Sequence, residues 1–388
     1  MSNKRISIFV NASPLSNRYY PLLQTLGDNL CCFYGPGIGI KQSLPDDLYG
    51  KTKITGLGMK VLRRITPFFL KLFGMPLYYG YWLEVKILDY LYSSRLASDD
   101  SKIVFINPLF CKSVEKAKKS GKYIVVEAGN SEPVREHERI MREYEHFKID
   151  HVYIYGNVKY RDTCLKSFNL ADKIVAISEF SEKTYIDANY DITKLELIPM
   201  TGTDYPVSSF EMTEDKPKAF ISTAFHSFIK GTHRLLLAWK KAQIEDVPLI
   251  IIGNLCEDIE EFINKYGPFE NVHFEGYVKG SLKDYYKKYN AVGVLMSLSE
   301  GAVRTTPEFM SFGYPMIVSP DAACDIVKDQ YNGFIVETTD VDKLSERLRW
   351  FAEDWERVNQ MRDNVLTSVS YRSVNDYSME VAEYLKNL

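Results

Sequence analysis

Short apolar runs alternate along the chain with longer stretches in which hydrophobic residues recur every three or four positions. The short runs predict strands, and the first half of the chain carries them at residues 6–10, 31–34, 103–106, 123–126, 173–177 and 195–198. Helical spacing separates these strands, beginning at residues 17–26 after a loop at residues 11–16. Such an alternation predicts a mostly parallel sheet with helices on both faces.

The alternation restarts in the second half of the chain. It predicts strands at residues 219–222, 248–252, 272–274, 292–296 and 315–318, and helices at residues 232–241 and 281–289. A polar stretch with a proline separates the two series, so we expect a domain boundary near residues 206–217. A chain of 388 residues is also too long for one ordinary core. We therefore predict two doubly wound α/β domains that face each other across a cleft, with ligands at the carboxyl ends of the strands.

Composition narrows the classes of partner. The formal net charge is −3, which argues against a dedicated nucleic-acid binder. The six cysteines form no CxxC pair and the six histidines no HExxH motif, so neither a metal site nor a disulfide framework is expected. No apolar run approaches the ~20 residues that cross a bilayer, and the N-terminal stretch does not resemble a signal peptide. The expected compartment is the reducing cytoplasm.

Two glutamates frame a predicted strand-to-helix junction in the stretch SLSEGAVRTTPEFMSFGYPMIVS, residues 297–319. The helix begins near Thr305 or Thr306, either of which can cap it. The exposed amides and the dipole of a helix N-terminus favour an anion, such as a diphosphate. In the first turn of that helix, the carboxylate of Glu308 can accept two vicinal hydroxyls of a ribose.

The first glutamate of the pair, Glu300, lies at the carboxyl end of the predicted strand, where it can accept sugar hydroxyls. The adjacent Gly301 lets a ligand approach the backbone. A purely structural alternative covers the same residues, because Thr305-x-x-Glu308 matches a capping box and a surface Glu300 needs no ligand. Spacing alone does not separate the two interpretations.

The two glutamates belong to a wider pattern, which continues with Gly313 and Pro315 before an apolar strand. Lys230-Gly231 precedes a leucine-rich helix start, and the segments 172–178, 198–204 and 332–336 add further short matches. Together these segments resemble retaining GT-B glycosyltransferases of the glycosyltransferase family 4 type, also called glycosyl transferases group 1. The resemblance covers about residues 120–388 and is densest in the second half.

This resemblance implies a GT-B fold with two Rossmann-like domains, expected at residues 1–205 and 206–370. Residues 371–388 would then form a closing helix that returns to the first domain. The implied activity is that of a retaining, metal-independent hexosyltransferase. It would use a nucleotide-diphosphate sugar as co-substrate and no cofactor, and the leaving diphosphate would take the acceptor's proton.

The resemblance also implies roles for single residues. Glu308 would hold the nucleotide ribose, and Glu300 would contact the donor sugar near its reacting carbon. Lys230 would pair with the diphosphate, where a cation neutralises the charge that grows on the leaving group. Taken alone, Lys230 would instead be a solvated lysine at a helix start.

This chain departs from the family at two donor-site positions. Phe225 stands where the family usually has an arginine, and Val303 where a further glycine is common. Either His226 or Arg304 would then supply the second positive group, and His226 is alternatively an ordinary loop residue.

The first domain departs further from the family. Its first strand-to-helix loop, residues 11–14, lacks the family's pair of glycines. Glu127 or Asn130 is expected to take the place in which the family often carries a histidine that faces the donor sugar. Residues 131–150, rich in both acids and bases, are expected to form a solvated helix near the cleft.

Residues 51–76 bear on the acceptor, because they hold six basic residues and no acid. On a helical wheel four of the basic side chains share one face, opposite an apolar face: Lys53, Lys60, Arg64 and Lys71. Such a basic amphipathic segment predicts an interfacial membrane anchor. The alternative is a helix whose apolar face packs on the first domain, and Pro67 is expected to kink or divide it.

The sequence thus predicts a retaining glycosyltransferase that moves a sugar from a nucleotide-diphosphate sugar to a saccharide or lipid-linked acceptor. Its expected setting is envelope polysaccharide or glycolipid synthesis, peripheral on the inner face of the cell membrane. Two other functions stay open: a GT-B sugar-nucleotide epimerase, and a catalytically inactive membrane-associated partner subunit.

Overall fold

Two parallel sheets, each flanked by helices, make up the protein. The computed structural model describes residues 5–36, 44–55, 57–75, 78–150, 152–200, 202–203 and 216–388. Strands in both sheets pair in parallel and are joined by helical crossovers. The predicted α/β architecture of two Rossmann-like domains is therefore confirmed. Most of the predicted boundary region lies outside the described residues, so its position stays a prediction.

The first sheet has seven strands in the order β3-β2-β1-β4-β5-β6-β7. They are β1 (Ile6–Phe9), β2 (Leu30–Pro36), β3 (Thr52–Thr55), β4 (Ile103–Ile106), β5 (Tyr123–Ala128), β6 (Lys173–Ala176) and β7 (Leu195–Leu197). The central strands β1 and β4 are buried on both faces, which explains why all their residues except Ser7 are apolar. The edge strand β3 escapes prediction because its sequence, TKIT, contains no apolar run.

The second sheet has six strands in the order β10-β9-β8-β11-β12-β13. They are β8 (Lys218–Thr223), β9 (Leu249–Ile252), β10 (Val272–Gly276), β11 (Asn290–Leu295), β12 (Met316–Val318) and β13 (Gly333–Ile335). The strand order reverses between β8 and β11, which are neighbours in the sheet. In doubly wound folds, ligands bind at the carboxyl ends of strands next to such a reversal.

Helices cover both sheets and connect their strands. Those of the first half are α1 (Tyr19–Leu26), α2 (Asp46–Gly50), α3 (Leu57–Leu72), α4 (Tyr78–Arg95), α5 (Cys111–Lys119), α6 (Pro133–Phe147), α7 (Val158–Leu170) and α8 (Glu179–Asp187). Those of the second half are α9 (Thr232–Ala242), α10 (Glu257–Tyr266), α11 (Leu282–Tyr286), α12 (Thr305–Met310), α13 (Val341–Glu353), α14 (Glu356–Ser368) and α15 (Val374–Asn387).

The last helix, α15, returns to the first domain. It packs against α1, and its residues Tyr377, Val381 and Leu385 share a buried cluster with apolar side chains of the first sheet. A capping box formed by Ser373 and Asp376 begins the helix. Helix α15 therefore packs on the first domain.

Helix α6 contacts both domains. The prediction that residues 131–150 form a solvated helix was therefore wrong. Its residues Ile140, Tyr144 and Phe147 belong to the hydrophobic core of the second domain. The ring of Phe147 packs against Phe228, and the Tyr144 hydroxyl donates to Asp258 at 2.7 Å. The many charges of this segment conceal an apolar stripe at helical spacing, which is the face that the second domain buries.

The basic segment is a strand followed by a helix. Lys53 lies in β3, so it does not share a helical face with Arg64 and Lys71, contrary to the prediction. Helix α3 continues through Pro67 to Leu72 as one element. The next helix, α4, buries apolar residues in the first domain. Among the described residues, no helix combines the length and the apolar character that a membrane span requires.

Candidate active site

The candidate site lies where the second sheet reverses its strand order. Lys230 follows β8 and the loop that carries Glu300 follows β11, so both lie beyond the carboxyl ends of two adjacent strands. The first sheet reverses its order between β1 and β4, and Arg18 and Asn107 follow those strands. Each domain thus presents the crevice in which doubly wound folds bind ligands.

Lys230 and Glu300 form a direct ion pair. Lys230 Nζ donates to Glu300 Oε1 at 2.6 Å, and Ser297 Oγ donates to the same oxygen at 2.6 Å. Glu300 is only 8% exposed, whereas the Lys230 side chain keeps 27% of its surface. Glu300 is therefore not the surface residue that the structural alternative required.

Gly231 explains how Lys230 reaches the glutamate loop. Residues Phe228–Lys230 form one turn of 3₁₀ helix, and Gly231 follows in the left-handed region with φ of 65°. A Cβ at this position would lie 1.8 Å from the Met296 carbonyl oxygen, so only glycine fits against the end of β11. The close approach brings the turn beside residues 297–300.

Helix α12 begins at Thr305, with Arg304 as the residue that precedes it. Thr305 Oγ1 donates to Thr223 O at 3.4 Å, and Thr306 Oγ1 donates to Ala322 O at 2.8 Å. The prediction that a threonine caps this helix was wrong, because both hydroxyls bind carbonyls of neighbouring segments. The capping-box alternative is wrong for the same reason.

Arg304 and Glu308 lie one helical turn apart and face each other. Arg304 Nε is 3.6 Å from Glu308 Oε1, and both side chains are partly exposed. The second glutamate and a guanidinium thus share the exposed start of α12. This places Arg304, one of the two candidates for the second positive group, within the site.

His226, the other candidate for that positive group, is fully buried. Its Nδ1 is 2.9 Å from Thr232 Oγ1, and its Nε2 is 3.0 Å from the Ile252 carbonyl oxygen. Burial lowers the pKa of His226 to about 4, so the imidazole is neutral at neutral pH. The prediction that His226 supplies a positive charge was therefore wrong. The His226 side chain instead anchors the loop after β8 to the end of β9.

Phe225 and Val303, the two donor-site positions at which this chain departs from the family, have different surroundings. The Phe225 side chain is 51% exposed, and its ring centroid lies 6.1 Å from that of Tyr153. Val303 is buried in the core of the second domain, and its carbonyl accepts a hydrogen bond from the Cys324 thiol. Val303 thus anchors the glutamate loop, whereas Phe225, which follows β8, lies at the protein surface.

Gly301 touches the first domain. A Cβ on Gly301 would lie 2.1 Å from the Gly129 carbonyl oxygen and 3.0 Å from the Asn130 Cα. In addition, Ser178 Oγ donates to the Gly301 carbonyl oxygen. The absence of a side chain at Gly301 therefore admits the backbone after β5, rather than the ligand that the sequence analysis predicted.

Glu127 ends β5 and is held by two residues from distant parts of the chain. The Arg18 guanidinium pairs with its carboxylate, and the Tyr377 hydroxyl donates to it. Arg18 precedes α1, and Tyr377 lies on the returning helix α15. The closing helix thus contributes directly to the surroundings of this candidate residue.

A cavity of about 210 Å³ opens beside Glu127 at the carboxyl ends of the first sheet. Asn130, Ser131 and Glu136 form the wall nearest to the glutamate loop, and tyrosines dominate the rest: Tyr19, Tyr81, Tyr155, Tyr160 and Tyr185. Asn130, the alternative to Glu127, therefore also lies at the cavity. Aromatic faces and scattered hydroxyls suit a ligand with both apolar and polar surfaces.

Helix α6 supplies residues that the sequence analysis missed. Arg135 donates to both oxygens of Asp321 at 2.8 and 3.1 Å, across the contact between the domains. Two turns later, Glu143 accepts hydrogen bonds from His233 and Arg234, which lower its pKa to about 2 although burial alone would raise it. The spacing of apolar residues in this helix was the signal that would have indicated its burial.

Within the residues that the structure describes, no group of three histidine, cysteine, aspartate or glutamate side chains could hold a metal ion. The positive groups beside Glu300 and Glu308 are the lysine and the arginine described above.

One protein-family model matches a segment in the second half of the chain. Residues 208–366 match the family model described as glycosyl transferases group 1. No curated protein matches the chain.

Solved structures share the fold over nearly the whole chain. HepE from Anabaena, in complex with UDP and glucose, superposes with a TM-score of 0.62 at 14% identity, covering 99% of this chain and 100% of HepE. The apo form of the lipopolysaccharide outer core galactosyltransferase WaaB gives a TM-score of 0.56 at 16% identity, covering 98% of each chain.

A TarM variant from S. aureus, in complex with fondaparinux, alpha-GlcNAc-glycerol and UDP, matches with a TM-score of 0.58 at 13% identity. That match covers 78% of this chain and 59% of TarM, so this chain spans little more than half of TarM's length. At such identities the structures show the shared fold alone. Residues 208–366 thus match the glycosyl transferases group 1 family model, and the chain has the GT-B fold.

Proposed function

We propose that the protein is a retaining glycosyltransferase of the glycosyltransferase family 4 type, which transfers a hexose from a nucleotide-diphosphate sugar. The observation that carries this proposal is the juxtaposition of Lys230 and Glu300 in the group 1 domain. Arg304 and Glu308 lie in the same loop and helix start. Two carboxylates and two cations suit a ligand that carries both hydroxyls and a diphosphate.

The donor would bind with its parts divided among these groups. Glu308 accepts hydrogen bonds from the ribose hydroxyls, and Glu300 accepts them from the sugar beside the reacting carbon. Lys230 and Arg304 neutralise the diphosphate as the glycosidic bond breaks, so the residues of the chain supply this charge without a metal ion or a cofactor. Arg304 takes the role for which the buried, neutral His226 is unsuited.

In the transfer step, an acceptor hydroxyl oxygen attacks the anomeric carbon on the face from which the diphosphate leaves. The bond from that carbon to the diphosphate oxygen breaks as the new glycosidic bond forms. Because attack and departure share one face, the configuration is retained. The acceptor's proton passes to the departing diphosphate, so no separate base is required. HepE and TarM, which share the fold, bind UDP with glucose or with other saccharides.

The acceptor would enter from the first domain. Glu127 and Asn130 lie on the cavity beside the glutamate loop, with tyrosine rings that suit a sugar ring. The Arg18 guanidinium and the Tyr377 hydroxyl hold the Glu127 carboxylate in one orientation. We assign Glu127 to orienting an acceptor or donor hydroxyl.

Helix α3 suggests that the acceptor is attached to a lipid. Five apolar side chains of α3 and the one that follows the helix form an exposed stripe: Val61, Ile65, Phe68, Phe69, Leu72 and Phe73. Leu62 and Leu70 face the first domain instead, and Arg63 Nε donates to Glu84 of α4 at 2.8 Å. The alternative in which the whole apolar face packs on the domain does not account for this stripe.

The exposed stripe lies beside the basic residues Arg64 and Lys71. We propose that α3 lies in the interface of an anionic membrane, with its apolar stripe among the acyl chains and its basic residues at the head groups. A lipid-linked saccharide or glycolipid of the envelope would then present its sugar to the first domain. This would make the protein peripheral on the cytoplasmic face of the cell membrane.

A thermal-shift screen of nucleotide sugars tests the proposed donor site. A ligand at a hundred times its dissociation constant should raise the free energy of unfolding by about 2.7 kcal/mol. We expect at least one nucleotide sugar, and its nucleoside diphosphate, to stabilise the protein.

Glu308→Ala should lose most of this shift, whereas the matched control Glu346→Ala, an exposed carboxylate on α13, should keep it. No shift with any nucleotide sugar would overturn the proposal. Conversion of the nucleotide sugar without an acceptor would indicate an epimerase instead.

A further inference from the structure

The turn that carries Lys230 is held on two sides. Toward the glutamate loop, Gly231 packs against the end of β11 and Lys230 binds Glu300. At the start of the turn, the Phe228 amide donates to Asp258 Oδ2 at 2.9 Å. The first amides of a helix have no partner within the helix, so the carboxyl group of Asp258 supplies the acceptor that the turn itself lacks.

Asp258 is a buried acceptor that serves only this region. It lies in the first turn of α10 and is only 1% exposed. Its Oδ1 accepts from the Ile259 amide at 2.8 Å, while its Oδ2 also accepts from the Tyr144 hydroxyl at 2.7 Å. Because backbone amides can only donate, both carboxyl oxygens of Asp258 face donors, which is the arrangement that suits a carboxylate.

Tyr144 brings helix α6 to the same turn. Its ring stacks on the ring of Phe228, with centroids 4.8 Å apart and planes inclined by 17°. Its hydroxyl, besides donating to Asp258, accepts from the Tyr153 amide at 3.0 Å. One buried tyrosine thus contacts both the first residue of the turn and the carboxylate that binds that residue, and it ties them to the segment after α6.

Stability alone does not require this arrangement. A buried charge with its hydrogen-bonding partners can often be replaced by well-packed apolar side chains at no loss of stability. Fully satisfied polar networks instead rigidify the segments that they join. The segment joined here ends at Lys230, two positions after Phe228, and the ammonium group of Lys230 lies 2.6 Å from Glu300 Oε1.

We propose that Asp258 and Tyr144 are positioning residues for Lys230: they fix the start of its turn, and thereby direct its ammonium group at the donor diphosphate. This inference rests on the proposed glycosyl transfer. Neither residue touches the donor, and both act through the placement of Lys230. Because Tyr144 lies on α6, the helix that contacts both domains, the placement of this cation depends on how the two domains meet.

The test is a double-mutant cycle between Tyr144 and Lys230. Calorimetric titration measures the affinity for whichever of UDP, GDP and ADP stabilises the wild type. Tyr144→Phe keeps the stacked ring and removes only the hydroxyl. It should weaken binding about tenfold, because a displaced Lys230 loses a hydrogen bond to a charged phosphate. In the Lys230→Met background the same substitution should change the affinity less than about twofold, since the group on which it acts is gone.

The matched control is Tyr266→Phe, at the opposite end of α10 from Asp258. The Tyr266 hydroxyl also joins α10 to α6, because it donates to the Phe147 carbonyl at 2.9 Å. Its removal should lower the melting temperature about as much as Tyr144→Phe does, yet leave the affinity for the nucleoside diphosphate unchanged. A general loosening of the contact with α6 would instead weaken binding in both variants.

Asp258→Asn tests the second positioning residue. An asparagine side chain offers one acceptor oxygen where the aspartate offers two, so either the Phe228 amide or the Ile259 amide loses its partner. The rate at which the nucleotide sugar releases its nucleoside diphosphate should fall about a hundredfold, which is the effect of a displacement of about 1 Å at a reacting group. In the Lys230→Met background this further loss should be absent.

The outcomes separate the inference from the proposed function. Equal losses of affinity from Tyr144→Phe in the wild-type and Lys230→Met backgrounds would overturn the inference, as would no loss in the wild-type background. Circular dichroism checks that each variant is folded, and Tyr144→Phe decides the matter if Asp258→Asn does not fold. If no nucleoside diphosphate binds the wild type, or if Lys230→Met binds it as tightly, the proposed donor site fails and the inference fails with it.

Discussion

Lys230 Nζ lies 2.6 Å from Glu300 Oε1, although 70 positions separate the two residues along the chain. The turn that carries Lys230 can approach the glutamate loop because Gly231 has no side chain and adopts φ of 65°. A further backbone bond, from the Leu298 amide to the Ile229 carbonyl at 2.7 Å, holds the turn and the loop together. The cation and the carboxylate proposed to act on the donor are thus fixed as one unit.

Removing the cation of this pair should slow transfer strongly. We expect Lys230→Met to lower kcat about 100- to 1,000-fold, because the leaving diphosphate loses a preorganised positive charge. Glu300→Gln should also lower kcat but leave the affinity for the nucleoside diphosphate nearly unchanged, since Glu300 contacts the sugar. Steady-state kinetics and calorimetric titration with the diphosphate separate the two effects.

Lys240→Met serves as the control for the loss of a positive charge, because Lys240 lies on the exposed part of α9. Equal losses of diphosphate affinity in Glu300→Gln and Lys230→Met would contradict the assigned division of roles.

Glu308 should discriminate ribose from deoxyribose. If its carboxylate accepts two vicinal hydroxyls, a 2′-deoxynucleotide sugar loses one charge-assisted hydrogen bond, worth about 1.5–3 kcal/mol. The wild type should therefore bind the deoxy analogue at least about tenfold more weakly. Glu308→Ala should bind both ligands weakly and with similar affinity. A wild type that does not distinguish the two ligands would exclude the ribose role of Glu308.

His226 should affect stability rather than the charge of the donor site. The pKa of His226 is about 4 in the folded protein, against about 6.5 for a histidine side chain in the unfolded chain. Between these two values the unfolded chain binds the additional proton, so the free energy of unfolding rises as the pH rises from about 4 to 6.5.

Substitution of His226 by glutamine should remove this part of the pH dependence. It should destabilise the protein by about 1–3 kcal/mol at pH 7, because the Thr232 hydroxyl or the Ile252 carbonyl loses its partner. Chemical denaturation at several pH values measures both effects. A donor affinity that falls as the pH rises through about 6.5 in the wild type, but not in the glutamine variant, would contradict a neutral His226.

Glu127 should contribute to stability as well as to turnover. Glu127→Ala leaves the Arg18 guanidinium without its carboxylate in a largely buried site, which should cost about 3 kcal/mol. Tyr377→Phe removes only the hydroxyl that donates to Glu127, so it should cost about 1 kcal/mol and lower turnover without changing donor affinity. Thermal denaturation should show the larger loss of stability in Glu127→Ala, and steady-state kinetics should show the loss of turnover in Tyr377→Phe. A Glu127→Ala protein as stable as the wild type would contradict the pairing.

Central strands such as β4 and β9 could be predicted because they are buried on both faces and are continuously apolar. β3 is the exception, since as an edge strand it is held by β2 on one side and needs no apolar run. Glu300, Glu308 and Lys230 were selected as candidates because their spacing, together with the neighbouring glycine, resembles a family pattern.

The surroundings of single residues could not be predicted in the same way. His226 and Gly301 were given ligand roles because a sequence does not show what lies next to a side chain in space. In the structure, burial keeps the His226 imidazole neutral, and the first domain fills the space beside Gly301. Glu136 was missed because its acidic and basic neighbours suggested a solvated helix, whereas the second domain covers that helix.

Helix α3 should bind anionic membranes through its exposed apolar stripe. Phe68 and Leu72 lie one turn apart and are 66% and 65% exposed. If both insert into the interface, the double substitution Phe68→Ser with Leu72→Ser should cost about 3 kcal/mol and weaken partition about a hundredfold. Sedimentation with vesicles of phosphatidylglycerol and phosphatidylethanolamine measures this partition, and vesicles of phosphatidylcholine alone should bind less because Arg64 and Lys71 lose their anionic partners.

The control for general hydrophobicity is Ile192→Ser, since Ile192 is 67% exposed but lies far along the chain, between α8 and β7. It should sediment with anionic vesicles as the wild type does. Donor binding should survive in the double variant, because α3 lies in the first domain whereas Glu308 and Lys230 lie in the second. Equal vesicle binding by the double variant and the wild type would remove the argument for a lipid-linked acceptor, yet it would leave the donor site untouched. The acceptor would then have to be sought among saccharides free in solution.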